Sequence, residues 1–257
     1  MAEAPFLEID GIAKRHGGQV ALDGVSLSIP AGSFVALVGP SGSGKTTFLK
    51  TVNRLSEPDE GAVRLSGRAV REVPLAELRR GIGYAFQGIG LFPHLDVAAN
   101  IALPLRLAGV PAGRRDERVT ELLDLVSLPR DFAGRRPAAL SGGQAQRVGL
   151  ARALAAAPPL MLMDEPFGAL DPVTRDELGR AYRSLHDRLG LTTIMVTHDM
   201  TEALLLADRI VVMIGGRIRA DAAPAALMQG HADAEVEALL AVPRRQAERL
   251  AALERGA

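Results

Sequence analysis

Gly39-Pro40-Ser41-Gly42-Ser43-Gly44-Lys45-Thr46 gathers three glycines, one ammonium and three hydroxyls into eight residues. The spacing is G-x-x-x-x-G-K-[ST], and its chemistry is the holding of a phosphate chain. Glycines let the backbone turn tightly enough for N–H groups to point inward. Lys45 can reach terminal phosphates, and the Thr46 hydroxyl can ligate Mg²⁺. Lysine is rare here: Lys14, Lys45 and Lys50 stand against 27 arginines. A compact ammonium fits between phosphates where a planar guanidinium does not, so a lysine at this position carries information.

Two further sets complement the first. Leu160-Met161-Leu162-Met163 runs into Asp164-Glu165, an apolar stretch ending in two carboxylates. One carboxylate can hold a metal shell, and the next can orient and deprotonate a water facing a phosphate. His198 follows the apolar run Thr192 to Thr197. Ser141-Gly142-Gly143 precedes a helical run, Gln144 to Ala157, and so forms a second helix N-terminus made of small residues that can meet an anion. One phosphate cannot sit against two helix ends placed on different parts of one compact chain. A head-to-tail dimer with two shared sites follows.

Positioning these groups requires buried strands that end where the chemistry begins. Phe34 to Val38 is continuously apolar, as expected of a strand covered on both faces, and it leads through the glycine loop into a helix over Lys45 to Leu55. Phe6 to Asp10, Val25 to Ile29, Ala62 to Leu65, Ile82 to Phe86, Leu160 to Met163, Thr192 to Thr197 and Arg209 to Ile214 read as further strands. From about Gly88 to Pro159 the texture is helical, broken by Pro104, Pro111, Pro129 and Pro137. Asp171 can cap a helix that has Pro172 in its first turn and Gly190 past its end. Asp199 and Glu202 have capping-box spacing, and Gly215-Gly216 marks a hairpin. Strands separated by helices predict an α/β fold: a mostly parallel sheet flanked by helices, with antiparallel additions at the edge. The tail from Ala232 onward reads as helical, with a break at Pro243.

Composition excludes several classes. The 257 residues carry 30 basic and 30 acidic side chains, so no net charge draws the whole molecule to nucleic acid or anionic lipid. There is no cysteine, hence no disulfide and no thiolate chemistry. The longest run of apolar residues and proline, Ala153 to Met163, is 11 residues, against about 20 needed to span a bilayer. The start, Met1 to Pro5, lacks the order of a secretion signal.

Leu140-Ser141-Gly142-Gly143-Gln144 begins 24 residues before Asp164. Together with the phosphate loop, Asp164-Glu165, Gln87 and His198, it resembles the ATP-binding subunit of an ATP-binding-cassette transporter over roughly Phe6 to Met228. The resemblance implies an α/β P-loop NTPase fold: a RecA-like, mostly parallel core sheet, an antiparallel β edge subdomain and an inserted α-helical subdomain. It divides the chain into a nucleotide-binding core (1–87 and 160–228), a helical subdomain (88–159) and a short helical tail (229–257). It implies ATP and Mg²⁺, with Gly39, Pro40, Ser41, Gly42, Ser43, Gly44, Lys45, Thr46 and Thr47 around the phosphates. Thr46, Gln87 and Asp164 would surround the metal. Glu165 would be the catalytic base, and Gln87 would contact the metal or the attacking water. His198 would hydrogen-bond the γ-phosphate. Ser141, Gly142, Gly143 and Gln144 would meet the ATP of the opposite subunit, with Asp171 at the subunit interface.

Where the family places an aromatic to stack on adenine, this chain has His16, whose ring offers a smaller face. Ala145 replaces a commoner polar residue after the signature. Three stretches, Ile82 to His94, Pro166 to Arg175 and His231 to Leu240, resemble importers of quaternary amines such as glycine betaine, choline or carnitine. The implied partners are a second cassette subunit, identical or not, and membrane permease subunits, with a solute-binding protein acting indirectly and no nucleic acid. Ile89, Leu91 and Phe92 offer apolar grip for a permease helix, which would hold the chain at the cytoplasmic face of the inner membrane. About forty residues follow Gly216, fewer than a long C-terminal regulatory module needs. An importer for another small solute such as amino acids, or a non-transport cassette ATPase, are the alternative readings.

Overall fold

The computed structural model describes residues 5–86 and 90–255. Its strands are β1 (Leu7–His16), β2 (Gln19–Ile29), β3 (Phe34–Val38), β4 (Glu60–Leu65), β5 (Arg68–Ala69), β6 (Ile82–Ala85), β7 (Leu160–Asp164), β8 (Thr192–Val196), β9 (Arg209–Ile214) and β10 (Arg217–Ala222). Its α-helices are α1 (Lys45–Val52), α2 (Leu75–Arg80), α3 (Val97–Leu107), α4 (Ala112–Leu125), α5 (Gly142–Leu154), α6 (Pro172–Leu189), α7 (Met200–Leu206), α8 (Pro224–Met228) and α9 (Ala234–Arg255).

A six-stranded sheet has the order β10-β9-β3-β8-β7-β6, parallel throughout except for β10, which pairs antiparallel with β9 across the Gly215-Gly216 turn. Every residue of β3, β7 and β8 is buried. The reason is visible in the alternation: Phe34, Ala36 and Val38 of β3 enter one core with the helices α3 to α7, while Val35 and Leu37 enter a second core with Phe48, Leu49 and Val52 of α1. Met161 and Met163 divide from Leu160 and Leu162 of β7 in the same way. A strand with two apolar faces has no polar alternation to show.

The antiparallel strands take the places expected of them: β10 joins the parallel sheet at its edge, and β2-β1-β4-β5 form an antiparallel four-stranded sheet that packs Leu7, Ile9, Ile12 and Leu22 into the second core. The strands β1 and β2 also run on to meet at Gly17-Gly18, whose φ angles of 54° and 86° suit a tight hairpin turn.

Asp171 caps α6 by accepting from the Thr174 N–H at 3.0 Å, and Gly190 closes the helix in the left-handed conformation at φ 61°. The capping box expected at α7 is only half formed. Asp199 accepts from the N–H groups of Thr201 and Glu202, while the Glu202 side chain turns to Thr197, and the Asp199 N–H donates to the Thr197 hydroxyl. The break expected at Pro243 does not occur, since α9 continues through it. Val236 and Leu240 are fully buried on one side of the proline, and Arg244 on the other bonds to Glu237 and to the Leu227 carbonyl. Tertiary anchoring outweighs the one backbone bond that proline removes.

His186 sits in α6 under the sheet, 1% exposed. Its Nε2 faces the Gly32 carbonyl at 3.2 Å, an acceptor only, so Nε2 carries the proton and Nδ1 accepts from the Thr193 hydroxyl at 3.0 Å. The Tyr182 hydroxyl completes the chain at 2.7 Å from the same oxygen. Burial, aided by Arg183, pushes the imidazole pKa down. Below about pH 6.5 the unfolded chain therefore binds a proton that the folded one does not, and stability falls as pH drops from there toward the lowered native value. Urea unfolding between pH 7.5 and 5 is expected to show a steeper loss for the wild type than for His186→Gln. Equal slopes would refute the assignment.

Candidate functional site

The parallel register brings three strand ends together. Val196 of β8 stands level with Leu37 of β3 on one side and Asp164 of β7 on the other. The residues that follow them, the glycine loop, Glu165 and His198, therefore converge at the carboxyl edge of the sheet, where α/β folds bind ligands.

The loop is built for close approach of backbone. Gly39 and Gly44 have φ of 149° and 99°, and a Cβ would lie 2.0 Å from the Met213 carbonyl oxygen at Gly39 and 2.3 Å from that of Ala21 at Gly44. No larger residue fits at either place. Lys45 is 7% exposed and folds back over the loop, donating to the carbonyls of Gly39 and Pro40 at 2.8 Å each and to the Ser43 hydroxyl at 3.2 Å. Ser41 to Thr47 line a cleft of about 630 Å³, and α1 opens onto it. His16 lies at the rim with Gln19, Val20 and Ala21 of β2.

Glu165 and His198 line the same cleft. Asp164, 3% exposed, accepts from the Thr46 hydroxyl at 3.0 Å. Burial raises the Asp164 pKa, the neighbouring Glu165 charge adds to the rise, and the Thr46 bond opposes it. Burial likewise lowers the Lys45 pKa, against the pull of Glu165 and Asp164. A cation beside Asp164 would relieve the burial penalty on that carboxylate, and phosphate oxygens would relieve the one on Lys45. Among the described residues no group of three or more His, Cys, Asp or Glu could hold a metal alone. The donor set, one hydroxyl and one carboxylate, fits Mg²⁺, which takes one or two protein oxygens and completes its shell from phosphates and water.

Glu165 has φ 50°, a left-handed conformation for a residue with a side chain. Its N–H donates to the Val196 carbonyl at 2.9 Å, and its Oε1 lies 3.3 Å from Nδ1 of His198, whose side chain is 66% exposed.

The remaining expected residues lie elsewhere. Ser141 and Gln144 cap α5 reciprocally, the Gln144 N–H donating to the Ser141 hydroxyl at 3.2 Å and the Ser141 N–H to Gln144 Oε1 at 2.9 Å. Gly142 and Gly143 form the first turn, and Gly143 packs so close to Leu170 and Ala169 that a Cβ would come within 3.2 Å of both. None of these four residues lines the cleft, and neither does Asp171, whose carboxyl is held below the usual range by its bonds to Thr174. Gln87 lies outside the described residues, as does Ile89. Leu91 is packed against the core, whereas Phe92 is exposed.

Two polar residues next to the site were not singled out from the sequence. Arg175 donates to the Leu170 carbonyl at 3.1 Å and approaches Asp199 at 3.7 Å, tying the turn after β7 to the cap of α7. Gln146 bonds to Glu165 and Ala169. Its available signal was an amide between Ala145 and Val148 on the buried face of α5.

A family profile described as "ABC transporter" matches residues 22–168. The choline transport ATP-binding protein OpuBA of Bacillus subtilis is 46% identical over 240 residues, covering 93% of this chain and 63% of that protein. The glycine betaine uptake system ATP-binding protein YehX of Escherichia coli is 49% identical over 213 residues, 83% of this chain and 69% of its own. A sulfate/thiosulfate import ATP-binding protein of Chromobacterium violaceum is 50% identical over 226 residues, 88% and 61% respectively. This chain thus spans about two thirds or less of the length of such relatives. A solved dimer of an ATP-binding cassette, in a post-hydrolysis state bound to ADP and Pi, superposes with a TM-score of 0.80 at 34% identity, covering 85% of this chain and 98% of that one.

Proposed function

Since the chain belongs to the ABC transporter family and has its α/β P-loop NTPase fold, we propose that it is the ATP-hydrolysing subunit of an importer, with quaternary amines of the glycine betaine, choline and carnitine type as cargo. The observation that carries the enzymatic part is the division of groups between two places. Lys45, Thr46, Glu165 and His198 surround one cleft, while the capped N-terminus of α5 at Ser141 to Gly143 stands outside it. A γ-phosphate meets both sets only when two chains face each other head to tail.

In that arrangement the loop N–H groups and Lys45 hold the phosphates of ATP. Thr46 and Asp164 would hold Mg²⁺, which would supply positive charge against the phosphates. Glu165 takes the proton from the attacking water, and His198, fixed beside it at 3.3 Å, orients the carboxylate and donates to the γ-phosphate. His16 stacks on the base at the rim. Ser141 and Gly143 of one chain, with Asp171 at the interface, close over the ATP of the other.

A groove of about 850 Å³ between the core and the helical part supports the docking of a permease helix. Phe86, Phe92 and Leu107 offer exposed apolar surface there, with Arg79 and Arg152 alongside. Among the described residues no helix is long and apolar enough to cross a membrane, so attachment at the cytoplasmic face would run through this groove. The cargo rests on the three resembling stretches and on the relatives named for choline and glycine betaine. The sulfate relative of equal identity supports the second reading, a different small solute.

Reconstitution in liposomes with permease chains and a solute-binding protein of a quaternary-amine importer tests both parts. ATP hydrolysis is expected to rise several-fold with choline or glycine betaine. A response to sulfate alone would overturn the cargo, and no hydrolysis in any combination would overturn the enzyme.

A further inference from the structure

Glu165 occupies a left-handed conformation that a residue with a Cβ disfavours, so neighbouring groups must hold it. On its N-terminal side the N–H is fixed to β8 through Val196. On its C-terminal side the carbonyl accepts a weak turn bond from Gly168 at 3.3 Å and a shorter one, 2.8 Å, from Nε2 of Gln146. The same amide accepts from the Ala169 N–H through Oε1 at 3.0 Å. The two backbone partners fix its orientation, because a carbonyl requires the NH₂ and an N–H requires the oxygen. One side chain therefore spans the turn from Glu165 to Ala169. It is 7% exposed, so water is a poor substitute for either bond.

We infer that Gln146 is a positioning residue for the base: it sets the direction of the Glu165 carboxylate through the backbone, without touching nucleotide. This rests on the reading of Glu165 as the base of an ATPase. Gln146 also belongs to α5, whose first turn carries Ser141 and Gly143. Five residues of helix, about 7.5 Å of rise, separate the residue that closes over one ATP from the residue that aims the base at the other. A movement of α5 on dimer closure is carried to the Glu165 carbonyl through the bond that it accepts from Gln146.

Gln146→Met keeps length and packing and removes both bonds. Gln146→Glu keeps an acceptor for Ala169 and removes the donor to Glu165. Both are purified as the full chain, with ATP affinity measured by calorimetry and turnover by phosphate release. Gln146→Met is expected to lose at least tenfold in kcat with Kd for ATP within twofold of wild type. Gln146→Glu should regain activity relative to wild type as pH is lowered, because a protonated carboxyl donates again; it carries the test should the Met variant fail to fold. Placed in a Glu165→Gln chain, Gln146→Met should add no further loss, since a residue acting through Glu165 has nothing left to position.

Wild-type kcat in Gln146→Met, or a multiplied loss in the double variant, would overturn the inference while leaving the functional reading intact. Absence of hydrolysis by the wild-type chain, alone and in every reconstituted combination, would overturn that reading, and this inference with it.

Discussion

Glu165→Gln is expected to reduce ATP turnover by about 100- to 10,000-fold, the contribution of a positioned general base, while ATP binding persists. Glutamine preserves the length and the Cβ, so the strained backbone at φ 50° and its bond to Val196 are unaffected. It removes only the proton acceptor next to His198. The closed, ATP-bound dimer is the state that hydrolysis would dissolve, so it should accumulate and elute as a dimer when ATP is present. Phosphate release near the wild-type rate in this variant would remove Glu165 from the role.

Lys45→Ala should weaken ATP binding by on the order of 100-fold, because charge-assisted bonds to phosphate are worth about 1.5–3 kcal/mol and tenfold in affinity is about 1.4 kcal/mol. The structure adds a second cost. Lys50 and Lys45 both oppose the rise in the Asp164 pKa, and removal of Lys45 leaves that carboxyl next to Glu165 with less opposing charge, which favours the protonated acid over a metal ligand. Lys45→Arg should fail as well. The ammonium reaches two carbonyls and a hydroxyl from inside a loop whose glycines leave no space for a Cβ, and a planar fork does not fit there. Calorimetry with ATP decides the matter: undiminished affinity in the alanine variant refutes the phosphate role. A melting temperature near wild type separates lost binding from lost fold.

The phosphate loop, the paired carboxylates and the helix caps were legible because their geometry is local. Three glycines and a lysine at set spacing define a turn wherever the chain lies. Asp171 finds the Thr174 N–H, and Ser141 finds Gln144, within one helical turn. Burial on both faces was equally legible in β3, since a five-residue apolar run has no other stable place.

Other features needed the tertiary structure. The pairing of β1 with β4 joins residues more than forty positions apart, which no local pattern announces, and so the antiparallel strands form a sheet of their own. Glu202 bonds to Thr197 instead of the cap it was spaced for, because its burial next to the sheet needs a partner there. Helix α9 passed through Pro243 because anchored residues on both sides outweigh one missing bond. Gln146 reads in the sequence as one more polar residue of a helix, and becomes significant only when that helix lies against the turn after β7.

The sequence by itself determined which groups this protein has for holding phosphate and moving a proton, since interactions over a few residues depend on spacing alone. Which of those groups share a cleft, which face away from it, and what fixes the base in its strained conformation were decided by sheet order and helix packing, where distance in space no longer follows distance along the chain.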